Sequence, residues 1–408
     1  MRGKREMRRK RNPLLTVLGI VFAAEVLAAA GLFLLRASGP DRKAPAEPED
    51  LAVSAEGRME LPAVQSPPEQ GAGIGGEEVP AEATEDQRRF VISLLGDCTL
   101  SSSHYTNHFE SVVGDDLAYP FSNVAEILTA DDLTLANLEC SFSDRRLESS
   151  SEYAFCGQAK YAESLVLGGV DCVSMANNHT HDFGSAGVAD TAAVLESVNV
   201  TGIQGDQGMC FDLRHDDGTS VRVGIYVLPF NGSKEQMKKG AARLREEGAD
   251  IVIACMHAGA EKIYVPTARQ KYLAHAAING GADVVVGTHP HVLQPAEDYQ
   301  GGVILYSIGN FCFGGNRNPG DKDTAIAQLV VYAEESGVSW EMAYVPCRVS
   351  SVPNRNDYRP TPYEQGTEDC QRCLSKLAAP WDKTTAEEAA KAAAEAKAAG
   401  ETEGAQTP

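Results

Sequence analysis

Basic residues are scarce in this chain of 408 residues when they are compared with acidic ones. The sequence holds 36 Lys and Arg against 57 Asp and Glu, for a formal net charge of −21 at pH 7. Proteins that bind nucleic acid need clusters of basic side chains that neutralise phosphates. The charge balance therefore argues against nucleic acid as a partner, although it does not by itself identify a substrate.

Cysteine pairs at a zinc-binding spacing are also nearly absent. Ten Cys are spread through the chain, and Cys370 and Cys373 are separated by two residues. A four-cysteine zinc site needs a second pair of this kind. A local disulfide or two free thiols is therefore favoured over a metal or redox pair. The sequence also has no internal repeat, and no lipobox cysteine accompanies its N-terminal apolar run.

That apolar run covers residues 14–35, which are 22 residues with a single charge, Glu25. With a helical rise of about 1.5 Å per residue, the run is long enough to cross a hydrocarbon core of roughly 30 Å. A signal peptide cleaved near residues 28–30 is the alternative interpretation, because three alanines stand there. Both interpretations place the remaining chain outside the cytoplasm.

The charges that flank the run predict its orientation. Residues 2–11 hold seven Lys or Arg and one Glu, and basic segments of this kind stay on the cytoplasmic side. We therefore expect a single-pass protein of the cell membrane. Residues 1–12 would be cytoplasmic, residues 13–36 would form the transmembrane anchor, and the main domain would be extracellular.

The remaining chain divides by composition into a linker, a main domain and a C-terminal part. Residues 37–87 are acidic and rich in Pro and Ala, a composition that buries too little apolar surface to fold and predicts a disordered spacer. Residues 88–350 form the predicted main domain, and residues 351–408 a C-terminal extension. Its Ala/Glu/Lys-rich tail, from residue 384, is expected to be a solvated helix or disordered.

Strand and helix patterns alternate within the main domain. Expected strands lie at 90–96, 132–138, 170–176, 221–228, 250–256, 283–287, 302–308, 325–333 and 338–345. Expected helices lie at 159–168, 185–198, 235–247 and 267–279. This alternation predicts an α/β fold with much parallel strand pairing.

Several expected strands end in residue types that bind metals. The first ends at Asp97, and the second ends with Asn137 and Glu139, which share one side of an extended chain. In α/β sheets the functional crevice lies at the carboxyl ends of the strands. These side chains are therefore candidates for one common site.

The third strand ends in the polar segment 177–182, which holds two Asn, two His and one Asp. The segment includes Asn177, Asn178, His179 and Asp182 and comes just before an expected helix. Its alternative interpretation is an Asn- and Asp-rich helix cap. The density of ligand types favours a site, although one of the polar groups could also serve as the cap.

Histidines follow two later strands. His257 ends the strand at 250–256 and is followed by Glu261, while His289 and His291 flank a proline after the strand at 283–287. Imidazole is the commonest metal ligand in proteins. A single His is more often a core residue, but three at neighbouring strand ends favour a metal site.

The other polar candidates carry a weaker signal. Ser307 and Asn310 follow a strand in a turn of small residues, where they could bind an anion or support the site. A plain turn explains them almost as well. Surface or core positions are the default for His104, His108, His215 and His275.

Taken in order, these segments resemble the CapA (PgsA-like) family of poly-γ-glutamate capsule biosynthesis, which is related to calcineurin-like metallophosphatases. The resemblance covers about residues 90–350. It rests on GDCTL at 96–100, NLE at 137–139, ANNHTHDFG at 176–184, H-x-G-x-E at 257–261, GTHPH at 287–291 and YSIGNF at 306–311. It implies a four-layer α-β-β-α metallophosphatase-like sandwich.

The resemblance also implies a role for individual residues. The implied metal ligands are Asp97, Glu139, Asn178, His257, His289 and His291. Glu139 stands where a bridging carboxylate is expected. The implied catalytic residues are His179, which matches the acid/base histidine, and Glu261, whose H-x-G-x-E motif is expected to support the site or contact substrate. The implied substrate-binding or supporting residues are Asn137, Asn177, Asp182, Ser307 and Asn310.

The sequence departs from the related patterns at three positions. Thr99 stands where the phosphatase motif has a second His, so one metal position is short of a ligand. Glu139 replaces the usual bridging Asp, and Ala258 replaces a Trp that is usual in the family. These departures put phosphate-ester cleavage in doubt and leave the number of metal ions, one or two, open.

The leading hypothesis is therefore a membrane-anchored metal-dependent hydrolase or transferase that acts on an anionic envelope polymer, with poly-γ-glutamate as one candidate. Mixed nitrogen and oxygen ligands suit Mn²⁺, Zn²⁺ or Fe. The alternative is a non-catalytic accessory protein that binds polymer or subunits of a membrane synthase or export complex. A soluble cytosolic phosphoesterase is disfavoured by the predicted anchor.

Overall fold

A computed structural model describes residues 88–103, 106–149, 151, 153–334 and 337–378 of the chain. The predicted cytoplasmic segment, anchor, linker and Ala-rich tail lie outside these residues. Within the described residues, no helix has both the length and the apolar character needed to cross a membrane.

The first half of the domain alternates strands with short helices. Its strands are β1 (Arg89–Thr99), β2 (Leu133–Leu138), β3 (Ser141–Phe142), β4 (Cys156–Gly157), β5 (Cys172–Ser174), β6 (Thr201–Ile203), β7 (Gln207–Arg214) and β8 (Ser220–Val227). Its helices are α1 (His108–Val113), α2 (Ala125–Ala130), α3 (Ala162–Leu167) and α4 (Gly184–Ser197), with 3-10 turns at Tyr119–Phe121 and Ala159–Tyr161.

The second half contains the longest strands. Its strands are β9 (Ile251–His257), β10 (Val284–Thr288), β11 (Ala296–Tyr299), β12 (Gly302–Leu305), β13 (Asn310–Phe313), β14 (Asp323–Glu334), β15 (Gly337–Arg348) and β16 (Thr361–Pro362). Its helices are α5 (Lys234–Glu246), α6 (Ala268–Ile278) and α7 (Glu368–Leu377). Capping boxes at Ser233 and Thr267 start α5 and α6.

Two large sheets carry the fold. The first has the strand order β16-β15-β14-β1-β2-β5-β6, with β13 also paired to β1, and the second has the order β11-β12-β10-β9-β8-β7. β1, β2, β5 and β6 run parallel in the first sheet, and β8, β9, β10 and β12 run parallel in the second. Both sheets are therefore mixed. The first is antiparallel from β16 to β1 and parallel from β1 to its β6 edge, whereas the second is parallel at its centre and antiparallel at both edges.

The two sheets pack face to face with helices on their outer faces. Ile92, Leu135 and Ile253 belong to one apolar core that side chains of both sheets form together. α1 to α4 cover the other face of the first sheet, and α5 and α6 cover the other face of the second. The order of layers is helices, sheet, sheet, helices.

The alternation of side chains explains which strand-end residues point between the sheets. In β9, Ile251, Ile253 and Cys255 face the core that lies between the sheets, while the intervening side chains face α5 and α6. His257 continues the inward series by period two. Glu139 continues the same series from Leu133 and Leu135 of β2. Polar side chains from both sheets therefore meet at one end of the core.

Two glycines allow the backbone to close around this end. A side chain at Gly96 would place its Cβ 2.0 Å from the Gly309 carbonyl oxygen, and one at Gly287 would lie 2.0 Å from the Tyr306 carbonyl oxygen. The Asp97 amide donates to the Gly309 carbonyl at 3.0 Å. A register shift of β1 between Leu94 and Asp97 then turns the Asp97 side chain inward.

The expected α/β class is confirmed, and each expected strand and helix has a counterpart with shifted bounds. Pattern reading missed the edge strand β7 and helix α7, together with the shorter elements β3, β4, β6, β11, β13, β16, α1 and α2. All ten cysteines are free thiols, and Cys370 and Cys373 are buried on α7. Of the alternatives for this pair, the structure therefore contains two free thiols.

The fold continues past residue 350, because α7 packs against β14 and β15. Asp323 anchors this helix: it is 3% exposed and accepts hydrogen bonds from Tyr363 Oη at 2.7 Å, Arg372 Nη2 at 2.7 Å and Arg372 Nε at 2.9 Å. The Lys376 ammonium lies 2.8 Å from the same carboxylate. Burial acts to raise the pKa of Asp323, but the hydrogen bonds from Arg372, Lys376 and Tyr363 outweigh it and lower the pKa to about 2.

We predict that Asp323→Asn lowers the free energy of unfolding by about 2–3 kcal/mol, because Arg372 and Lys376 lose the buried, charged acceptor that they share. A depressed pKa stabilises the fold above the ordinary carboxyl range, and that stability is lost as the pH falls through the folded-state value. The difference from wild type should therefore shrink as the pH falls toward about 2. Denaturant unfolding at several pH values measures it.

Asp369→Asn is the matched control, because Asp369 pairs with the same Arg372 on the exposed side of α7. An exposed pair contributes about 0–1 kcal/mol. Equal losses in the two variants would contradict the anchoring role of Asp323.

Candidate metal centre

Six side chains converge where the carboxyl ends of the inner strands meet. Asp97 lies near the end of β1, Glu139 directly follows β2, and His257 ends β9. Asn178 comes from the loop after β5, and His289 and His291 come from the loop after β10. All six predicted ligands are brought together, while their binding of a metal remains a prediction.

Glu139 lies at the centre of the cluster. Its side chain is 0% exposed, and neither carboxylate oxygen has a hydrogen-bond partner among the described residues. Glu139 Oε1 lies 3.4 Å from His257 Nε2 and 3.9 Å from His291 Nε2 and from His179 Nε2. A buried carboxylate without donors costs several kcal/mol unless a cation balances it.

The His257 Nε2 atom faces three further lone-pair atoms. Asn178 Oδ1 lies 2.7 Å away, His289 Nδ1 lies 3.1 Å away, and Glu139 Oε1 is the third. If His257 Nε2 carries the proton of this imidazole, that proton can satisfy only one of the three neighbours well. A bound cation would satisfy all of them.

Asp97 joins the two sheets at the other side of the cluster. Its Oδ2 atom lies 3.1 Å from His291 Nδ1 and accepts from the His289 amide at 3.2 Å. Its Oδ1 atom accepts from Asn137 Nδ2 at 2.8 Å and lies 3.8 Å from His257 Nδ1. The carboxylate therefore contacts residues of three other chain segments.

The loop after β10 holds its two imidazoles with a constrained backbone. His289 has φ 98° and His291 has φ 58°, which is a left-handed conformation that non-glycine residues adopt at a cost. Pro290 stands between them. The Asn310 side chain fixes His291, because its Oδ1 lies 2.9 Å from His291 Nδ1 and its Nδ2 donates to the His291 carbonyl at 3.3 Å.

The charges of the cluster are unevenly distributed. Burial acts to raise the pKa of Asp97, but the hydrogen bond and charge of His291 lower it to about 2. Burial acts to lower the pKa of His291, but the charge of Glu139 and the hydrogen bond to Asp97 raise it to about 9. Without an ion, Asp97 and His291 therefore form a charged pair.

The other groups tend toward their neutral forms. Burial, followed by the charge of Asp97, raises the pKa of Glu139 well above its ordinary value. Burial lowers the pKa of His257 to about 3, and burial with the nearby His257 and His291 lowers that of His289 to about 4. Neutral imidazoles are the form that binds metals.

The donors group into two inner metal-sized triads. Glu139, His257 and His289 form one, and Asp97, Glu139 and His291 form the other, with all ligand atoms of each triad within 4.8 Å of one another. Both triads share Glu139, whose two oxygens can bind two ions. The residues therefore fit one or two divalent cations, and Glu139 would be a ligand in either triad.

His179 lies beside this cluster and is oriented by Asp182. His179 Nδ1 lies 2.8 Å from Asp182 Oδ2, which also accepts from the Phe155 amide at 3.0 Å. Burial acts to lower the pKa of His179, but the Asp182 hydrogen bond and the Glu139 charge raise it overall. The Nε2 atom faces Glu139.

The predicted supporting residues separate into two groups. Asn137 contacts Asp97, Asn177 Nδ2 donates to the Leu138 carbonyl at 2.7 Å and to Asn137 Oδ1 at 3.3 Å, and Asn310 holds His291. Ser307 does not contact the cluster. It donates to the Val292 carbonyl at 2.7 Å and accepts from the Gly309 amide at 3.2 Å, so it supports the loop backbone.

Sequence reasoning missed several neighbours of the cluster. Thr288 Oγ1 lies 2.9 Å from His257 Nδ1, and Phe230 lies 5.9 Å from the rings of both His257 and His289. Phe155 packs edge-on against His179, and Phe313 lies 4.9 Å from the His291 ring. Thr288 is part of the GTHPH segment at 287–291, so the sequence could have identified it. No local pattern identifies the aromatic residues.

Three of the remaining histidines make contacts outside the cluster. His108 contacts the Gly314 carbonyl, His215 stacks on Phe90, and His275 pairs with Glu297. His104 lies outside the described residues.

The fold and the site thus define an α/β protein with a buried cluster of His, carboxylate and amide side chains between two sheets. The family model described as "Bacterial capsule synthesis protein PGA_cap" matches residues 91–315, which is more than half of the chain. The chain belongs to this family.

Curated relatives are consistent with this assignment. The chain is 26% identical to a capsule biosynthesis protein CapA of Bacillus anthracis, over 60% of this chain and 64% of that protein. It is 28% identical to a PGA biosynthesis protein CapA of Bacillus subtilis, over 59% and 67%. It is 24% identical to a probable polyglutamine synthesis accessory protein of Mycobacterium tuberculosis, over 58% and 72%. The match thus spans about two thirds of the length of these relatives.

Among solved structures, the protein TT1561 of Thermus thermophilus matches with a TM-score of 0.32 and 9% identity, over 58% of this chain and 93% of that chain. That likeness is too weak to support a conclusion about the fold.

We predict that Glu139→Gln abolishes stabilisation by Mn²⁺ without destabilising the metal-free protein. Removal of a buried, unpartnered carboxyl should leave the free energy of unfolding in chelator unchanged or raise it by about 1–2 kcal/mol. Wild type should gain about 3 kcal/mol at a hundredfold excess of Mn²⁺ over its Kd. Thermal unfolding with Mn²⁺ and with chelator measures both effects.

Asp131→Asn provides the control, because Asp131 is another buried carboxyl. It lies just before β2, whereas Glu139 lies just after it, so the two are at opposite ends of the same strand. The variant should leave the Mn²⁺-dependent shift intact. A Glu139→Gln protein that Mn²⁺ still stabilises as much as wild type would contradict the bridging role.

Proposed function

We propose that the chain is a membrane-anchored, outward-facing protein that uses a divalent metal centre to cleave or transfer a linkage of an anionic envelope polymer during capsule assembly or export. One observation carries the metal-dependent part. Polar atoms of Glu139, Asn178 and His289 converge on His257 Nε2 in a buried space, where neither Glu139 oxygen has a hydrogen-bond partner among the described residues. The family and the names of its relatives support the role in capsule synthesis.

The layered arrangement agrees with the metallophosphatase-like sandwich that the family resemblance implies. The family resemblance implies ligands from both sheets, and Asp97 and Glu139 of the first sheet lie 3.8 Å and 3.4 Å from His257 of the second. The divalent ion, as Mn²⁺, Zn²⁺ or Fe, would supply a bound water of lowered pKa and polarise a phosphoryl or carbonyl oxygen.

The six ligands would be distributed unequally over two metal positions. Glu139, His257 and His289, with Asn178 beside His257, offer the richer set of donors, and Asp97 and His291 with Glu139 offer the other. Thr99 donates its hydroxyl to the Glu139 carbonyl at 3.2 Å, so it fixes the backbone and leaves the second position one imidazole short. The second position should therefore bind its ion more weakly.

His179 is the group suited to move a proton. Asp182 accepts from Nδ1 and thereby fixes the ring, so that Nε2 is directed toward Glu139 and the reacting space. A protonated Nε2 would donate its proton to the leaving group of a cleaved linkage. Glu261 lies on the exposed side of the same cluster, where it can contact an incoming polymer.

An anionic polymer can approach this acidic protein because a bound divalent ion dominates its local field. The predicted anchor at residues 13–36 and the linker at 37–87 would hold the domain on the outer side of the membrane, close to synthase or export subunits.

A non-catalytic accessory role is the second candidate. Two features favour it: the missing imidazole at the Thr99 position, and the name of the Mycobacterium tuberculosis relative, which describes an accessory protein. In that role the same cleft would bind nascent polymer without cleaving it.

Two variants separate binding from chemistry. His257→Gln should lower bound metal and turnover together, because it removes a buried ligand. His179→Gln should retain the metal but lower kcat by about 10²–10⁴, the usual contribution of a general acid. Metal analysis of the purified full chain, combined with turnover of a phosphodiester and of poly-γ-glutamate, measures both.

His275→Gln is the matched control, since His275 pairs with Glu297 away from the cluster. A metal-loaded wild type without turnover on any polymer or ester would favour the accessory role. A wild type that binds no divalent metal would overturn the proposed centre altogether.

A further inference from the structure

A third set of metal-ligating side chains lies on the solvent side of the cluster. Glu261, His289 and His291 have ligand atoms that lie within 4.8 Å of one another. Glu261 is exposed and the two imidazoles are half-buried, whereas Asp97 and Glu139 are fully buried. We name this set the outer triad, because it is the most exposed of the three.

The backbone fastens Glu261 to the histidine loop. The Lys262 amide donates to the Pro290 carbonyl at 2.7 Å, and the Ala258 amide donates to the Thr288 carbonyl at 3.1 Å. Gly259, with φ 132°, turns the chain between these two bonds. The position of Glu261 beside the imidazoles is therefore built into the fold.

The outer triad cannot be filled together with both inner triads. A neutral imidazole has one nitrogen lone pair for a metal, because its other nitrogen carries a proton. His289 is shared by the outer triad and the triad of His257, and His291 is shared by the outer triad and the triad of Asp97. An ion held by Glu261 and both imidazoles would therefore draw on the ligands of the inner positions.

The three triads differ in their exposure to solvent, so an incoming ion would reach the outer triad before the inner ones. An ion that arrives from solvent meets Glu261 before it can reach Glu139, which is 0% exposed. At the outer triad the ion has two imidazoles and one carboxylate. It can then exchange the Glu261 oxygen for a Glu139 oxygen while it keeps one imidazole, so it is never left without protein ligands.

We propose that Glu261, His289 and His291 form an outer binding station through which divalent cations pass to and from the buried metal centre. The inference rests on the proposed metal-dependent function and adds a role for Glu261 that is kinetic. A group that acts only on the path changes the rates of uptake and release equally and leaves the final affinity unchanged.

The test is the kinetics of Co²⁺ binding to the purified full chain, followed by the visible absorption of the bound ion. Glu261→Gln should slow both uptake and release by about tenfold or more, because the ion loses one of the three protein ligands that hold it on the path in either direction. The equilibrium Kd should stay within about twofold of wild type, since one factor acts on both rates.

Glu246→Gln is the matched control, because it removes the same charge from an exposed position at the C-terminal end of α5. That end leads into the start of β9 and so lies far from the cluster. The control should bind Co²⁺ at the wild-type rates.

The outcomes distinguish the station from the metal centre itself. Unchanged rates of Co²⁺ uptake and release in Glu261→Gln would contradict the proposed role of the outer triad, and so would a weakened Kd with faster release. Either result would leave the proposed buried metal centre in place. A wild-type chain that binds no Co²⁺ would overturn both proposals.

Discussion

The arrangement around Glu139 depends on one electrostatic constraint: a carboxylate buried between two sheets without a hydrogen-bond donor among the described residues. Burial alone would keep this group protonated, and its neighbours His257 and His289 are neutral for the same reason. Such a cluster is unfavourable without a positive charge at its centre. A divalent cation would remove the conflict, because the imidazoles, the amide oxygen and the carboxylates could then act as its ligands.

The layered architecture creates this constraint. Apolar side chains of both sheets seal the core, so polar groups meet only where the inner strands end. Gly96 and Gly287 permit the close backbone approach that draws these ends together, and the shift in β1 turns Asp97 inward. The site therefore lies where the apolar side chains of the inner strands end. The loops that follow these strands, including the strained backbone at His289 and His291, supply its remaining side chains.

The α/β class, the main strands and the side chains of the cluster could be predicted from the sequence. Buried parallel strands, and metal-binding residue types at their ends, form a clear pattern. Ser307 could not be assigned, since a buried serine that fixes backbone and one that faces a site look alike in sequence. β7 was missed because its alternation is interrupted by Gly208 and polar residues, and α7 because its burial depends on distant β14 and β15. The aromatic residues around the cluster come from unrelated segments, and only the fold brings them together.

Diffraction from crystals grown with Mn²⁺, recorded where Mn scatters anomalously, shows whether Glu139 holds a divalent ion. We expect one or two anomalous peaks about 2.0–2.2 Å from the carboxylate oxygens of Glu139, with His257 and Asp97 among the other ligands. A cleft without a peak, in which Glu139 is protonated and donates a hydrogen bond to a neighbouring imidazole, would contradict this expectation.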